Sequence, residues 1–121
     1  GLARMIQLAL PNMRERKKGR IINISSIGGK FGEPHGAWYH ATKFALEGFS
    51  DCLRMELAQF NIDVIVIQPG AIITEWSEIA RNNMLNVSGQ TAYKDLVKKH
   101  VEMLARYDGQ GSSPSLIAEI I

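Results

Sequence analysis

Three side chains that can take part in acid–base chemistry lie within one short stretch of the chain, at Ser26, Tyr39 and Lys43. Tyr39 and Lys43 are four residues apart, so their side chains share one face if the segment is helical. A tyrosine hydroxyl is a weak acid with an ordinary pKa of about 10, and an ammonium group one turn away favours its ionised form. We therefore predict that Tyr39 exchanges a proton with a substrate and that Ser26 supplies a hydroxyl nearby.

The elements that must position these residues are a strand, a helix and a second strand. Residues 20–25 and residues 62–67 are short apolar runs, which predict buried strands because parallel strands are continuously apolar rather than alternating. Between them, residues 39–60 have the apolar spacing of a helix. Strand, helix and strand in this order predict a parallel βαβ unit with a right-handed crossover, and hence an α/β fold.

This topology also predicts where the reactive groups meet. Open parallel sheets bind their ligands beyond the carboxyl ends of the strands. Ser26 follows the first strand, residues 69–74 follow the second, and Tyr39 begins the helix that is entered from the same edge. We expect all three segments to lie at that edge of the sheet.

Further helices are predicted on both sides of this unit. The first should bend at Pro11 and end with Gly19 at the C′ position, and its apolar stripe is Leu2, Ile6, Leu10 and Met13. In the helix at 39–60, the stripe expected to be buried is Ala41, Ala45, Phe49, Cys52 or Leu53, and Leu57. The side expected to face water carries Glu47, Asp51, Arg54 and Glu56. Beyond Thr74, we predict helices at about 75–81 and 92–106, a loop at 108–114 and the start of another helix.

Three blocks of the sequence resemble the active site of the short-chain dehydrogenase/reductase family. Tyr39 lies thirteen residues after Ser26 and begins a Tyr-x-x-x-Lys sequence that ends at Lys43, and residues 69–74 match Pro-Gly-x-x-x-Thr. The resemblance covers residues 1–74 well. It implies a Rossmann-type doubly wound parallel sheet, of which this chain would be the C-terminal portion. The chain would then be one partial NAD(P)-binding domain that lacks its N-terminal dinucleotide-binding half, with residues 75–113 as a substrate lid.

The resemblance implies an NAD(P)-dependent oxidoreductase that interconverts a secondary alcohol and a ketone, with NADP favoured over NAD. Tyr39 would be the general acid and base, Lys43 would support it and bind the nicotinamide ribose, and Ser26 would orient the carbonyl. The implied cofactor contacts are Ser25, Tyr39, Lys43, Pro69, Gly70, Ile72 and Thr74. The candidate substrate contacts are Gly28, Phe31, His35, Trp38 and Trp76.

The same resemblance suggests a substrate class and an assembly. Residues 43–50 are similar to family members that act on steroids or retinoids, and also to many microbial relatives. From the first group we expect a hydrophobic alcohol or ketone. In the family, the helices that match residues 1–18 and 39–60 pair across a two-fold axis, which implies a homodimer or homotetramer.

Other functions fit parts of this pattern. A non-catalytic NAD(P)-binding scaffold protein could keep the same fold, and sugar-nucleotide epimerases also use Tyr-x-x-x-Lys. The spacing from Ser26 and the Pro-Gly block favour the dehydrogenase. Taken singly, Ser25 and Ser26 could merely cap the strand end, and Thr74 could cap a helix.

Composition narrows the cellular setting. The chain of 121 residues has a formal charge of +2 and a single cysteine, Cys52, which excludes an internal disulfide. We interpret the basic cluster at 14–20 as a solvated helix end rather than a nucleic-acid site, because no aromatic residues interleave with it. No apolar run is long enough to span a membrane, and His35, His40 and His100 lack metal-ligand spacing. These features favour a cytoplasmic protein that binds a small molecule and no metal.

Overall fold

A computed structural model describes residues 1–121. The chain divides into two compact units, one made of Gly1–Phe31 and Tyr39–Gln68 and the other of Gly32–Trp38 and Pro69–Ile121. In chain order the elements are α1 (Leu2–Arg16), β1 (Gly19–Ile24), α2 (Ala37–Leu57), β2 (Ile62–Ile67), α3 (Trp76–Ser88), α4 (Lys94–Ala105) and α5 (Pro114–Ile120). Short 3₁₀ turns span Ile27–Gly29 and Ala58–Phe60.

The two strands of the first unit pair in parallel. Their register runs from Gly19 beside Ile62 to Ile24 beside Ile67. Just beyond β1, the Ser25 N–H donates to the Ile67 carbonyl at 2.7 Å, so the two carboxyl ends stay side by side. The predicted parallel strand–helix–strand unit is confirmed.

Within residues 1–121, one face of the strands is buried and the other is partly exposed, whereas the sequence predicts burial of both faces. Ile21 and Val64 join the core with residues of α1 and α2, and the full cluster is Ile6, Ile21, Leu53, Leu57, Ile62 and Val64. On the opposite face, Ile24 and Ile65 are 42% and 39% exposed. The burial therefore alternates along each strand, because both helices contribute to the core on the same side of the sheet.

The buried face of α2 also differs from the predicted one. Leu53 and Leu57 are buried as expected, but Ala41, Ala45, Phe49 and Cys52 are exposed. The inward positions are instead His40, Glu47, Ser50, Leu53 and Leu57. The prediction that Glu47 faces water is therefore wrong. The observed buried face is turned by about one residue from the predicted face. Polar side chains on the observed face bond to the end of β1 and to the turn after it.

The end of α1 differs in detail from the prediction. The helix runs through Pro11 and its last residue is Arg16. The left-handed residue at its end is Lys17, with φ 48°, rather than Gly19. Gly19 begins β1, where a Cβ atom would lie 2.7 Å from the Met13 sulfur. Glycine is needed there for close packing and not for a positive φ.

The second unit is formed mainly by α3 and α4, which pack against each other. Val97 of α4 is fully buried. Helix α3 extends well past the predicted residue 81, whereas α4 lies within the predicted range. An ion pair between Arg81 and Asp108, 2.6 Å long, fastens α3 to the turn after α4. None of the helices combines the length and the apolar composition that a membrane span requires.

Candidate active site

Lys43 reaches from α2 to the carboxyl end of β1. Its Nζ donates to the carbonyl oxygen of Ser25 at 3.1 Å and to that of Ile24 at 3.3 Å. The same nitrogen lies 5.9 Å from the centre of the Tyr39 ring, within the range of a cation–π interaction. The predicted neighbours Tyr39 and Lys43 thus share one face of the helix, and this face points toward the end of β1.

Ser26 lies directly after β1 and caps the turn that follows. Its backbone is extended, and its Oγ accepts a hydrogen bond from the Gly28 N–H at 3.0 Å. A serine hydroxyl that accepts one hydrogen bond still has its own proton to donate. Ser26 thus caps the turn after the strand rather than the strand end itself, and this is compatible with a role toward a ligand.

The turn at Ile27–Gly29 contacts both Ser26 and Tyr39. The half-buried Tyr39 ring lies against Gly28, where an added Cβ atom would be only 2.9 Å from the tyrosine Cε1. Any larger residue at Gly28 would displace the ring. The structure thus brings Ser26, Tyr39 and Lys43 together around one turn, and it gives Gly28 a packing role beneath the tyrosine. The chemical roles of these residues stay predictions.

His40 is a contributor to this region that the sequence analysis missed. The ring is buried, and its Nδ1 lies 2.8 Å from the Gly28 carbonyl oxygen. Because a carbonyl oxygen only accepts, Nδ1 must carry the proton. The His40 ring also meets the edge of Tyr39 and tilts against Phe31, with centroid distances of 5.5 and 5.8 Å. His40 therefore holds the turn from the helix side.

Glu47 is a second missed residue, and it is only 6% exposed. Its Oε2 accepts from Gln68 Nε2 at 2.6 Å and lies 3.2 Å from Lys30 Nζ. The Ser25 hydroxyl and Glu47 Oε1 are both buried without a hydrogen bond of regular geometry, although this hydroxyl still helps to stabilise the carboxylate. The sequence contained one signal for this residue. Glu47 lies four residues after Lys43, so it shares the helix face that was predicted to point toward the site.

The Glu47 carboxyl is ionised at neutral pH. Burial acts to raise its pKa, but the nearby polar groups of Ser25, Gln68 and Lys30, together with the lysine charge, outweigh this and lower the pKa below its ordinary value. A carboxyl with a lowered folded-state pKa stabilises the fold above its unfolded pKa. That contribution disappears as the pH falls through the lowered value.

The predicted cofactor residues of the Pro-Gly block belong to the second unit. Ala71 and Ile73 bond through their backbones to Ser112, at 3.0 Å each, so the segment around Ile72 is fixed to the chain before α5. The Thr74 Oγ1 accepts from the Trp76 N–H at 3.3 Å, at the start of α3. The N-cap residue of α3 is Glu75, and no side chain caps the helix, so the helix-capping role considered for Thr74 is not confirmed. Pro69 is half-buried and Gly70 is exposed.

The remaining candidate substrate residues are spread over both units. Phe31 in the first unit is 42% exposed, whereas Trp38 and Trp76 in the second unit are 88% and 53% exposed. His35 is engaged within the second unit, since its Nδ1 lies 3.1 Å from Nδ1 of His100 and the two rings stack. Their contact with a substrate stays a prediction.

Comparison with known proteins places this geometry in context. Residues 1–85 match the short chain dehydrogenase family. A 3-ketodihydrosphingosine reductase of Bacteroides thetaiotaomicron is 35% identical over 122 residues, which cover 100% of this chain and 45% of the relative. The chain therefore spans less than half the length of this curated relative.

Solved structures agree with this match. The crystal structure of a 3-oxoacyl-(acyl-carrier protein) reductase with bound NAD from Brucella melitensis is 34% identical with a TM-score of 0.57, and the match covers 69% of this chain and 32% of that one. The structure of ElxO with NADP bound is 31% identical with a TM-score of 0.56, covering 74% of this chain and 35% of that one. The α/β fold with a Rossmann-type parallel sheet is confirmed.

Proposed function

Because this chain belongs to the short-chain dehydrogenase family, we propose that the protein is an NAD(P)-dependent oxidoreductase that interconverts a secondary alcohol and a ketone. One observation carries the proposal for this chain. At the carboxyl end of β1, Ser26 caps the turn at Ile27–Gly29 and Tyr39 packs on Gly28 of that turn. Lys43 bonds to the Ser25 carbonyl and lies 5.9 Å from the centre of the Tyr39 ring. Parallel sheets bind their ligands at this end of their strands.

In this proposal the three side chains divide the proton chemistry. The Tyr39 hydroxyl gives its proton to the carbonyl oxygen of a ketone, and it takes that proton back when an alcohol is oxidised. The Lys43 ammonium favours the phenolate that forms in between. The Ser26 hydroxyl, already accepting from the Gly28 N–H, donates toward the charge that develops on the substrate oxygen.

The residues present fit a nicotinamide cofactor, which supplies or accepts the hydride when bound. Two of the three N–H donors of Lys43 are used by the carbonyls of Ile24 and Ser25, so one remains for a ribose hydroxyl. We propose that Ser25, Tyr39 and Lys43 hold the nicotinamide and its ribose. On the resemblance alone, we also propose Pro69, Gly70, Ile72 and Thr74 as cofactor contacts.

We propose a hydrophobic alcohol or ketone as the substrate and favour NADP over NAD. The name of the Bacteroides relative describes a reductase of a keto group. One solved relative is bound to NAD and another to NADP, so the choice of nucleotide rests on the resemblance of residues 43–50 to steroid- and retinoid-active members. The single cysteine, Cys52, supports a reducing, cytoplasmic setting.

The function is tested with the purified full-length protein, NAD or NADP in either redox state, and a panel of secondary alcohols and ketones. We expect the nicotinamide absorbance to change with at least one hydrophobic substrate. The change should be faster with NADP than with NAD. Binding of the nucleotide without turnover of any substrate would instead support the scaffold function. No binding and no turnover would contradict both.

We further propose that the protein forms a homo-oligomer through α1 and α2. Both helices expose apolar side chains, with Met5 and Leu8 on α1 at 68% and 72% exposure and Met55 on α2 at 73%. A two-fold contact places the same patch of each copy against the other. Such pairing would cover these side chains and remove them from water.

This assembly predicts the outcome of one charge substitution. Met55→Glu should convert a dimer or tetramer to smaller species, because two like charges would meet near the axis and the apolar contact would be lost. The mass of the full-length protein in solution, measured by light scattering after size exclusion, checks this. Gln90→Glu introduces the same charge at an exposed position outside both helices and should leave the mass unchanged. An unchanged mass for Met55→Glu would contradict this interface.

A further inference from the structure

A row of four polar side chains on α2 fastens the helix to the end of β1. Ser50 accepts from Asn23 Nδ2 at 2.9 Å within the strand. Lys43 bonds to the carbonyls of the last strand residue and of Ser25, and His40 bonds to the Gly28 carbonyl. Glu47 lies between Lys43 and Ser50 and is the anion of the row. The other three bond to β1 or to the residues directly after it, whereas the partners of Glu47 are Gln68, after β2, and Lys30, after the turn.

Glu47 touches the turn from the inside. A Cβ atom at Gly29 would lie 2.8 Å from Glu47 Cγ, 3.2 Å from its Oε1 and 3.2 Å from the Lys43 carbonyl oxygen. The turn therefore packs directly on the first part of the Glu47 side chain, and glycine is needed for this approach. A shift of the Glu47 side chain would leave the turn unsupported.

The carboxylate also joins three segments that are separate in sequence. Its Oε2 accepts from Gln68, the residue after β2, and pairs with Lys30, the residue after the turn. Its Oε1 is buried without a regular hydrogen bond, as is the Ser25 hydroxyl. Ser25 is thus contacted from two successive turns of α2, at its carbonyl by Lys43 and at its hydroxyl side by Glu47.

We propose that Glu47 is a positioning residue for the reaction. Its buried carboxylate keeps Lys43 in place relative to the turn at Ile27–Gly29, which Ser26 caps. Glu47 does not contact the reacting atoms. It fixes the turn at Gly29 and Lys30, three and four residues after Ser26, while Lys43 precedes it by one turn on the same helix. The inference rests on the proposed oxidoreductase function, because it assigns Glu47 a part in that reaction.

The charge of Glu47 is tested with Glu47→Gln in the full-length protein. The amide has the same shape and keeps an acceptor for Gln68, but it loses the ion pair with Lys30. We expect kcat to fall about tenfold or more, since small misplacements of catalytic groups are costly. The KM for the nucleotide and the midpoint of thermal unfolding should change little. Glu56→Gln removes an exposed carboxylate from the same helix and should leave kcat unchanged.

A second pair of variants separates positioning from folding. Glu47→Asp keeps the charge and should recover part of the lost kcat. Lys30→Met removes the partner, whose side chain is 57% exposed, and should lower kcat in the same direction by a smaller factor. If Glu47→Gln does not fold, kcat of Lys30→Met tests the positioning role instead. An unchanged kcat in Lys30→Met overturns the proposal.

The outcomes also separate this inference from the proposed function. If the wild-type protein turns over substrate and Glu47→Gln matches its kcat, the positioning role is wrong and the oxidoreductase function stands. The positioning role is also wrong if Glu47→Gln lowers kcat and the midpoint of thermal unfolding together and Glu47→Asp recovers no kcat, because the loss would then reflect a destabilised fold. If the wild-type protein turns over no substrate, both proposals fall.

Discussion

Replacing Tyr39 with phenylalanine is expected to lower kcat by about 10²- to 10⁴-fold, the range over which a positioned acid–base group accelerates reactions. The variant keeps the aromatic ring that packs against Gly28 and meets the edge of His40. It loses only the hydroxyl that would carry the proton to and from the substrate oxygen. The loss should therefore appear in kcat, with the thermal midpoint and nucleotide affinity nearly unchanged.

The measurement compares steady-state rates of the full-length protein and its variants with a substrate found in the panel. Tyr93→Phe is the matched control, because Tyr93 is 61% exposed in the other unit and loses the same atom. Tyr93→Phe should retain the wild-type rate. A Tyr39→Phe variant with an unchanged rate would show that another group transfers the proton.

Replacing Lys43 with methionine is expected to have the second largest effect, with kcat falling about 10²-fold, comparable to the loss of one preorganised donor. The substitution removes the positive charge beside the Tyr39 ring. It also removes the donor shared by the carbonyls of Ile24 and Ser25, so the residues before Ser26 lose a constraint. The KM for the nucleotide should rise as well, since the remaining ammonium donor is lost.

Two further variants define what the Lys43 effect means. Lys43→Arg keeps the charge and should recover part of the kcat, though the wider guanidinium cannot reproduce the donor geometry. Lys98→Met removes an exposed lysine of α4 and should behave as wild type. If Lys43→Met loses stability but retains kcat once folded, the lysine serves only to hold the end of β1.

The helix α2 shows how far periodicity predicts a fold. A helix was predicted at 39–60 and is observed at Ala37–Leu57, and the two leucines of its core were among the predicted positions, because a helix of this length has a strong local signal. The face it turns inward was predicted wrongly, since alanines and aromatic residues outlined one apolar stripe while the buried face carries His40, Glu47 and Ser50. The polar residues on that face have partners elsewhere in the chain, and a pattern of apolar residues does not contain those partners.

The sequence alone determined the order of strand, helix and strand, the parallel pairing that this order requires, and the family to which the chain belongs. These follow from spacing along the chain, which is a local property. Only the tertiary structure decided which face of α2 is buried, that Glu47 is an internal anion, and which side chains of the strands join the core with α1 and α2. These depend on contacts between distant residues, such as Asn23 with Ser50, 27 positions apart, whose energies are settled only when the segments pack together.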